Sequence, residues 1–213
     1  MMTSFIFDLD GTISDPLDGI ARSLNYALES FGYSARSIDE LSTYIGPPLD
    51  QAFSSLTGKD DPLSVNALVA KYRERYASVG FSENTLYPGI AKILTELVDQ
   101  GISLGICTSK PVQFAEKILI HFKLRELFDY ISGGDVGVQK WQQLASLKEE
   151  GVITEKSIMI GDRHVDLDAA HRNHLKCAGV LWGYGSYNEL KQQKPDVLLS
   201  HVDELLTLSS VLK

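Results

Sequence analysis

Two cysteines, three methionines and seven prolines in 213 residues exclude several kinds of protein at once. Cys107 and Cys177 each lie in an apolar, strand-like run and show no CxxC spacing, so neither a disulfide framework nor a zinc ribbon holds the fold. They read as buried thiols in a reducing compartment. No apolar run approaches the length of a membrane span, and the first strand starts directly after Met1-Met2-Thr3-Ser4, leaving no room for a signal peptide. The expectation is a cytoplasmic protein without a membrane partner. Basic residues are also scarce, 20 Lys and Arg against 28 Asp and Glu, for a formal charge of −8. Such a surface has few cations with which to displace phosphate counterions, which argues against a nucleic-acid polymer as partner. A phosphate ligand inside a cleft is still allowed, because there a metal ion and one or two lysines dominate the field.

What is present is the composition of a globular protein, 44% hydrophobic and 23% charged, with length enough for one sizeable core and a smaller inserted domain. Phe5, Ile6 and Phe7 predict a buried parallel strand, and Asp8 and Asp10 stand where it should end, with Gly11 after them. Later strands are expected at Ser103–Cys107, around Asp129–Ser132, at Ser157–Ile160, at Cys177–Trp182 and at Val197–Leu199, with helices between them and a closing helix over Asp203–Leu212. Alternating strands and helices imply a doubly wound parallel α/β sheet. From about Asp15 to Leu86 the strand pattern stops. Ile20, Leu24, Ala27, Leu28 and Phe31 recur at helical spacing, as do Val65, Leu68, Tyr72, Tyr76 and Val79, with a Gly46-Pro47-Pro48 break between. The predicted organisation is a core of residues 1–14 and 87–213 and a small α-helical domain of residues 15–86.

In an open α/β sheet, ligands bind beyond the carboxyl ends of the strands. Two aspartates placed there are costly unless something cationic meets them, and magnesium is the natural candidate. Residues two apart in an extended segment face the same way, so one of Asp8 and Asp10 can be a nucleophile and the other a general acid and base. Thr12 could hydrogen-bond the nucleophile or a phosphate. An Asx turn or a calcium loop accounts equally well for so short a pattern. Thr108 and Ser109 fall between a strand and the helix opened by Pro111, where N–H groups favour phosphate but Ser and Thr also serve as ordinary caps. Lys140 opens a helix after Gly133-Gly134-Asp135, and Gly161-Asp162-Arg163-His164-Val165-Asp166 follows another strand.

Asp8-Leu9-Asp10-Gly11-Thr12 resembles the first motif of the haloacid dehalogenase-like (HAD) hydrolases, and Thr108, Lys140 and Asp162/Asp166 follow in the order of that family's other motifs. The resemblance implies a Rossmann-like core with an inserted helical cap. It assigns Asp8 as nucleophile and magnesium ligand, and Asp10 as general acid and base with its backbone carbonyl on the metal. Thr108 and the Ser109 N–H would hold the phosphoryl oxygens, Lys140 would neutralise charge between nucleophile and phosphate, and Asp162 and Asp166 would complete the Mg2+ shell. Lys110, beside the phosphate position, rivals Lys140 or shares its substrate contact.

The helical insert resembles the cap of the branch that includes phosphoglycolate phosphatases and β-phosphoglucomutases. Gly46 of the Gly-Pro-Pro segment and Arg22, near Asp18 at the cap's first helix, are the candidates there for substrate contact. Asp10 favours phosphate-ester chemistry, since dehalogenases of the family lack it. The mutases carry a histidine near the start of the cap, where this chain reads Pro16-Leu17-Asp18-Gly19-Ile20, so a mutase is the alternative, and a non-catalytic binding protein a more remote one. Lys140 is followed by Trp141 instead of the proline frequent in phosphoglycolate phosphatases and mutases, and the Ile45-Gly46-Pro47-Pro48 and Gly183-Tyr184-Gly185 segments resemble a group variously labelled phosphoglycolate phosphatase-like or nucleotidase-like. The expected activity is therefore a Mg2+-dependent phosphatase that acts on a small phosphorylated metabolite through an aspartyl-phosphate, as a monomer or weak homodimer.

Overall fold

The computed structural model describes residues 4–46, 48–134 and 138–211; Pro47 of the Gly-Pro-Pro segment and Asp135 of the turn before Lys140 lie outside the described residues. The chain forms two compact units, residues 1–15 with 86–213, and residues 16–85.

The larger unit is built on β1 (Ser4–Phe7), which leads into the two-residue strand β2 (Ser14–Asp15). After the helical unit come β3 (Thr85–Leu86), α-helices at Ile90–Asp99, Val112–His121, Lys140–Glu149, His164–Arg172, Tyr187–Gln192 and Leu208–Val211, and strands at Ser103–Cys107, Tyr130–Ser132, Ser157–Gly161, Lys176–Val180 and Val197–Leu199. In chain order the strands of the main sheet are β1, β4, β5, β6, β7 and β8, and they lie side by side as β5-β4-β1-β6-β7-β8. All five pairings are parallel. β1 is thus central, with Phe5 opposite Leu104 on one side and Ile158 on the other. Phe5, Ile6 and Phe7 are fully buried, as the uninterrupted apolar run requires of a strand covered on both faces. Burying each is worth roughly 1.5–3 kcal/mol.

Two strand and helix boundaries differ from the sequence expectation. β7 ends at Val180, so Trp182 belongs to the following loop, although Leu181 still donates its N–H to Leu199 (2.9 Å). The closing helix is a 3₁₀ segment over Val202–Thr207 before four α-helical residues. Leu205 of the 3₁₀ segment and Leu208 of the α-helical turn both bury completely.

The helical unit holds α1 (Leu17–Ser30), α2 (Ile38–Ser42), α3 (Leu49–Thr57) and α4 (Pro62–Ser78). The stripe Ile20, Leu24, Ala27 and Leu28 of α1 is buried, while Phe31, past the helix end, is exposed. Val79 also lies beyond its helix and is exposed. α4 starts where Asp61 accepts a hydrogen bond from the Ser64 N–H (2.9 Å) and Pro62 takes the first helical position, which lacks an N–H partner in any helix. Tyr72 stacks on Tyr76 with ring centroids 5.4 Å apart, and Phe53 meets Tyr72 edge-on at 6.4 Å, so these aromatics are core.

Candidate active site

The site grows from the carboxyl ends of β1, β4 and β6 in the larger unit. After Phe7 the chain folds into a tight loop in which the N–H groups of Ile13 and Ser14 both donate to Leu9 O, at 3.0 and 3.1 Å. Gly11 holds φ +84°, and a Cβ there would fall onto the Asp162 carboxylate, so only glycine permits the loop and the acid to meet. The result brings Asp8, Asp162 and Asp166 together: one carboxylate oxygen from each lies within 4.8 Å of the others, and all three residues are buried.

Lys140 enters this group from the first residue of α7 (Lys140–Glu149). Its ammonium, almost fully buried, lies 3.1 Å from Asp8 Oδ2 and hydrogen-bonds Asp166 Oδ1. The Leu9 N–H holds Asp8 Oδ1 at 2.8 Å, and the Arg163 N–H holds Asp166 Oδ2 at 2.9 Å. Asp162 accepts from the Tyr184 N–H (2.8 Å) and more weakly from the Thr12 hydroxyl (3.4 Å). The Thr12 hydroxyl is therefore placed on Asp162, in the same cluster as Asp8. Asp10 takes a separate lysine: Lys110 Nζ lies 2.8 Å from Asp10 Oδ2. The two lysines thus divide the acids between them.

Four carboxylates against two ammonium groups leave two negative charges in a dry place. Burial raises the pKa of Asp162, and repulsion from Asp166 and Asp8 raises it further. Burial likewise raises Asp166, with Lys140 pulling the other way. Burial raises Asp10 above the usual carboxylate range, and Lys110 partly offsets it. Burial by itself lowers the Lys140 pKa, but attraction to Asp166 and Asp8 outweighs it and keeps the ammonium charged. A trio of hard oxygen donors with an uncompensated charge of this size fits a divalent cation of the Mg2+ kind.

Thr108 is buried at the end of β4, its N–H on Ser132 O (3.0 Å) and its hydroxyl accepting from the Lys110 N–H (3.3 Å). Ser109 beside it is exposed. Gln143, which the sequence did not single out, supports this corner: its Nε2 donates to Thr108 O (3.3 Å) and its Oε1 accepts from Ser132 Oγ (3.0 Å). The loop after β7, named in the sequence for its Gly183-Tyr184-Gly185 segment but given no site role there, also contributes. Trp182 Nε1 donates to Thr12 O (3.0 Å), the Tyr184 hydroxyl donates to Asp15, and Gly183 packs so closely on Gly11 O and Asp162 that a Cβ would clash. Its glycines, spaced around aromatics, were the available signal. Glu189 Oε1 accepts from Arg163 Nε (2.9 Å) and the His164 N–H (3.0 Å) and lies 2.9 Å from His164 Nδ1, pinning the start of α8 (His164–Arg172).

The remaining candidates lie in the helical unit. Arg22 pairs there with Asp18 (3.3 Å) and Glu83 (3.1 Å), and Glu83 also holds Arg75 at 2.7 Å. Gly46 is exposed with φ +105°.

Comparison with known proteins agrees with this geometry. A family model described as haloacid dehalogenase-like hydrolase matches residues 5–180. The chain is 39% identical to a 5'-nucleotidase of Pseudomonas aeruginosa over 90% of its own length and 88% of that protein's. It is 30% identical to a phosphoglycolate phosphatase of Yersinia pestis over 94% and 90%. The crystal structure of a predicted phosphatase from Clostridium acetobutylicum superposes with a TM-score of 0.88 at 34% identity, covering the whole of both chains. With its acids, lysines and hydroxyl at the strand ends of one parallel sheet, this chain belongs to the haloacid dehalogenase-like hydrolase family.

Proposed function

We propose that this chain, a phosphatase of its family, is a Mg2+-dependent cytoplasmic enzyme that hydrolyses small phosphate monoesters through an aspartyl-phosphate. The observation that carries the reading is the buried trio Asp8, Asp162 and Asp166 with the Lys140 ammonium set on Asp8 and Asp166. An anionic carboxylate that attacks an anionic phosphate must have their repulsion cancelled, and the Lys140 ammonium together with a divalent cation on the acidic trio would supply the positive charge for that. Mg2+ held by Asp8, Asp162, the Asp10 carbonyl and Asp166 would draw charge off the phosphoryl oxygens.

In this reading an Asp8 oxygen forms the bond to phosphorus as the ester P–O bond breaks, and Asp10 gives its proton to the departing oxygen. Water then attacks the aspartyl-phosphate, its proton passing to Asp10, and orthophosphate leaves with Asp8 regenerated. Lys140 stays charged throughout, while Thr108 and the Ser109 N–H hold phosphoryl oxygens. Nucleoside monophosphates head the substrate candidates because the 5'-nucleotidase is the more similar of the two relatives, at 39% identity against 30%, and phosphoglycolate follows. Arg22 and Gly46 are proposed as the substrate-binding residues of the helical unit.

The test is orthophosphate release across nucleoside monophosphates, phosphoglycolate, hexose phosphates and an aryl phosphate, with Mg2+ and after chelation. Turnover that requires Mg2+ and disappears in Asp8→Asn is expected. Near-normal activity in Asp8→Asn, or full activity after exhaustive chelation, would overturn the reading.

A further inference from the structure

The two oxygens of Asp10 stand in different surroundings. Oδ2 lies 2.8 Å from the Lys110 ammonium, whose side chain is only 7% exposed, while Oδ1 is buried with no hydrogen-bond partner. The backbone that aims Lys110 is fixed at both ends: its N–H donates to Thr108 Oγ1 (3.3 Å) and its carbonyl accepts from the Gly134 N–H (2.9 Å). Pro111 then caps α6 (Val112–His121) with its own φ locked. Lys140 is committed elsewhere, on Asp8 and Asp166.

We propose that Lys110 is a positioning residue for the general acid, holding Asp10 by Oδ2 so that Oδ1 is the oxygen that gives and later takes the proton. The inference rests on the phosphatase reading and deepens it. An ammonium has donors only, so the oxygen it engages acts as acceptor and the acid proton of Asp10 belongs on the other. A buried oxygen with no partner is costly, and a leaving-group oxygen that accepts its proton would be the partner it lacks. In the first step the Oδ1–H proton goes to the departing ester oxygen as the P–O bond breaks; in the second, Oδ1 takes a proton from the attacking water. The competing role for Lys110 is a direct phosphate contact.

Leaving-group dependence separates the two. A nitrophenolate departs without protonation, whereas an alkoxide needs the acid, and kcat/KM reports only the steps up to P–O cleavage. For Lys110→Met the expected result is a loss of roughly 10–100-fold in kcat/KM on an alkyl phosphate, part of the 10²–10⁴-fold that general acid catalysis supplies, with less than about 3-fold on nitrophenyl phosphate. Lys110→Gln, a second variant that retains polarity, should show the same selectivity, and Lys110→Arg should recover part of the alkyl rate. Inhibition by orthophosphate should be nearly unchanged. Equal losses on both substrates with weakened orthophosphate inhibition would make Lys110 a phosphate anchor and overturn the proposal, as would no loss on either. Wild-type protein that turns over neither compound would instead overturn the phosphatase reading and the proposal with it.

Discussion

Lys140 carries one positive charge into a space shared by Asp8 and Asp166, and removing it leaves two buried carboxylates facing each other. Breaking a buried ionic group by deleting one partner costs about 3–5 kcal/mol. Lys140→Met is expected to destabilise the protein by that order near neutral pH, measured by urea unfolding without divalent metal. Its phosphatase activity should fall at least about 100-fold, in line with loss of a group that stabilises transition-state charge. The place of Lys140 at a helix start after the strand-end hydroxyl was legible in the sequence, while the role expected of it came from the family resemblance. The partner of Lys110 was not legible: a flexible four-carbon stem can serve several neighbours, and only the folded chain shows it on Asp10.

At the level of elements, α9 (Tyr187–Gln192) fixes the entry to α8 by presenting Glu189 to the first free N–H of that helix and to the Arg163 side chain. Burial by itself would raise the Glu189 pKa, but the bonds from the His164 N–H, Arg163 and the His164 ring outweigh it and bring it down to about 2. A carboxylate with a lowered folded-state pKa contributes stability above its unfolded value, and that contribution is lost as pH falls toward the folded one. Glu189→Gln should therefore cost roughly 1–2 kcal/mol at neutral pH, the size of a lost charge-assisted hydrogen bond. The gap to wild type in urea midpoint should close as the pH is lowered toward about 2. Such a contact joins residues 25 apart in sequence and leaves no periodic trace. The strands, in contrast, were legible because burial on both faces forces continuous apolar runs, as at Phe5–Phe7 and Ile158–Ile160. α2 and α3 were not. α2 has five residues and buries only Leu41, too few to establish a helical period, and α3 follows directly on the Gly-Pro-Pro break.

For the whole molecule, the uncompensated charge at the strand ends predicts a stability that depends on divalent metal and pH together. Asp162 and Asp166 have raised pKa values, so in metal-free protein the stability they contribute is full below the ordinary carboxylate range and is lost as pH rises through the raised values. A bound cation removes that loss. The melting temperature should rise on adding Mg2+, by the equivalent of about 2.7 kcal/mol at a hundredfold excess over Kd, and rise more at about pH 8 than at about pH 5. Calorimetry in the two buffers checks both the sign and the trend; an equal or larger rise in acid would contradict it. No described helix is long and apolar enough to cross a membrane. The central place of β1 has a further consequence, for synthesis. Its neighbours in the sheet begin at Ser103 and Ser157, so β1 is made about a hundred residues before its first partner strand and about a hundred and fifty before its second. At roughly 5–20 residues per second that is a delay on the order of ten seconds, during which an apolar Phe-Ile-Phe segment has no strand to pair with and is open to chaperones. Residues 16–85, whose helices pack on one another, emerge complete well before that delay ends.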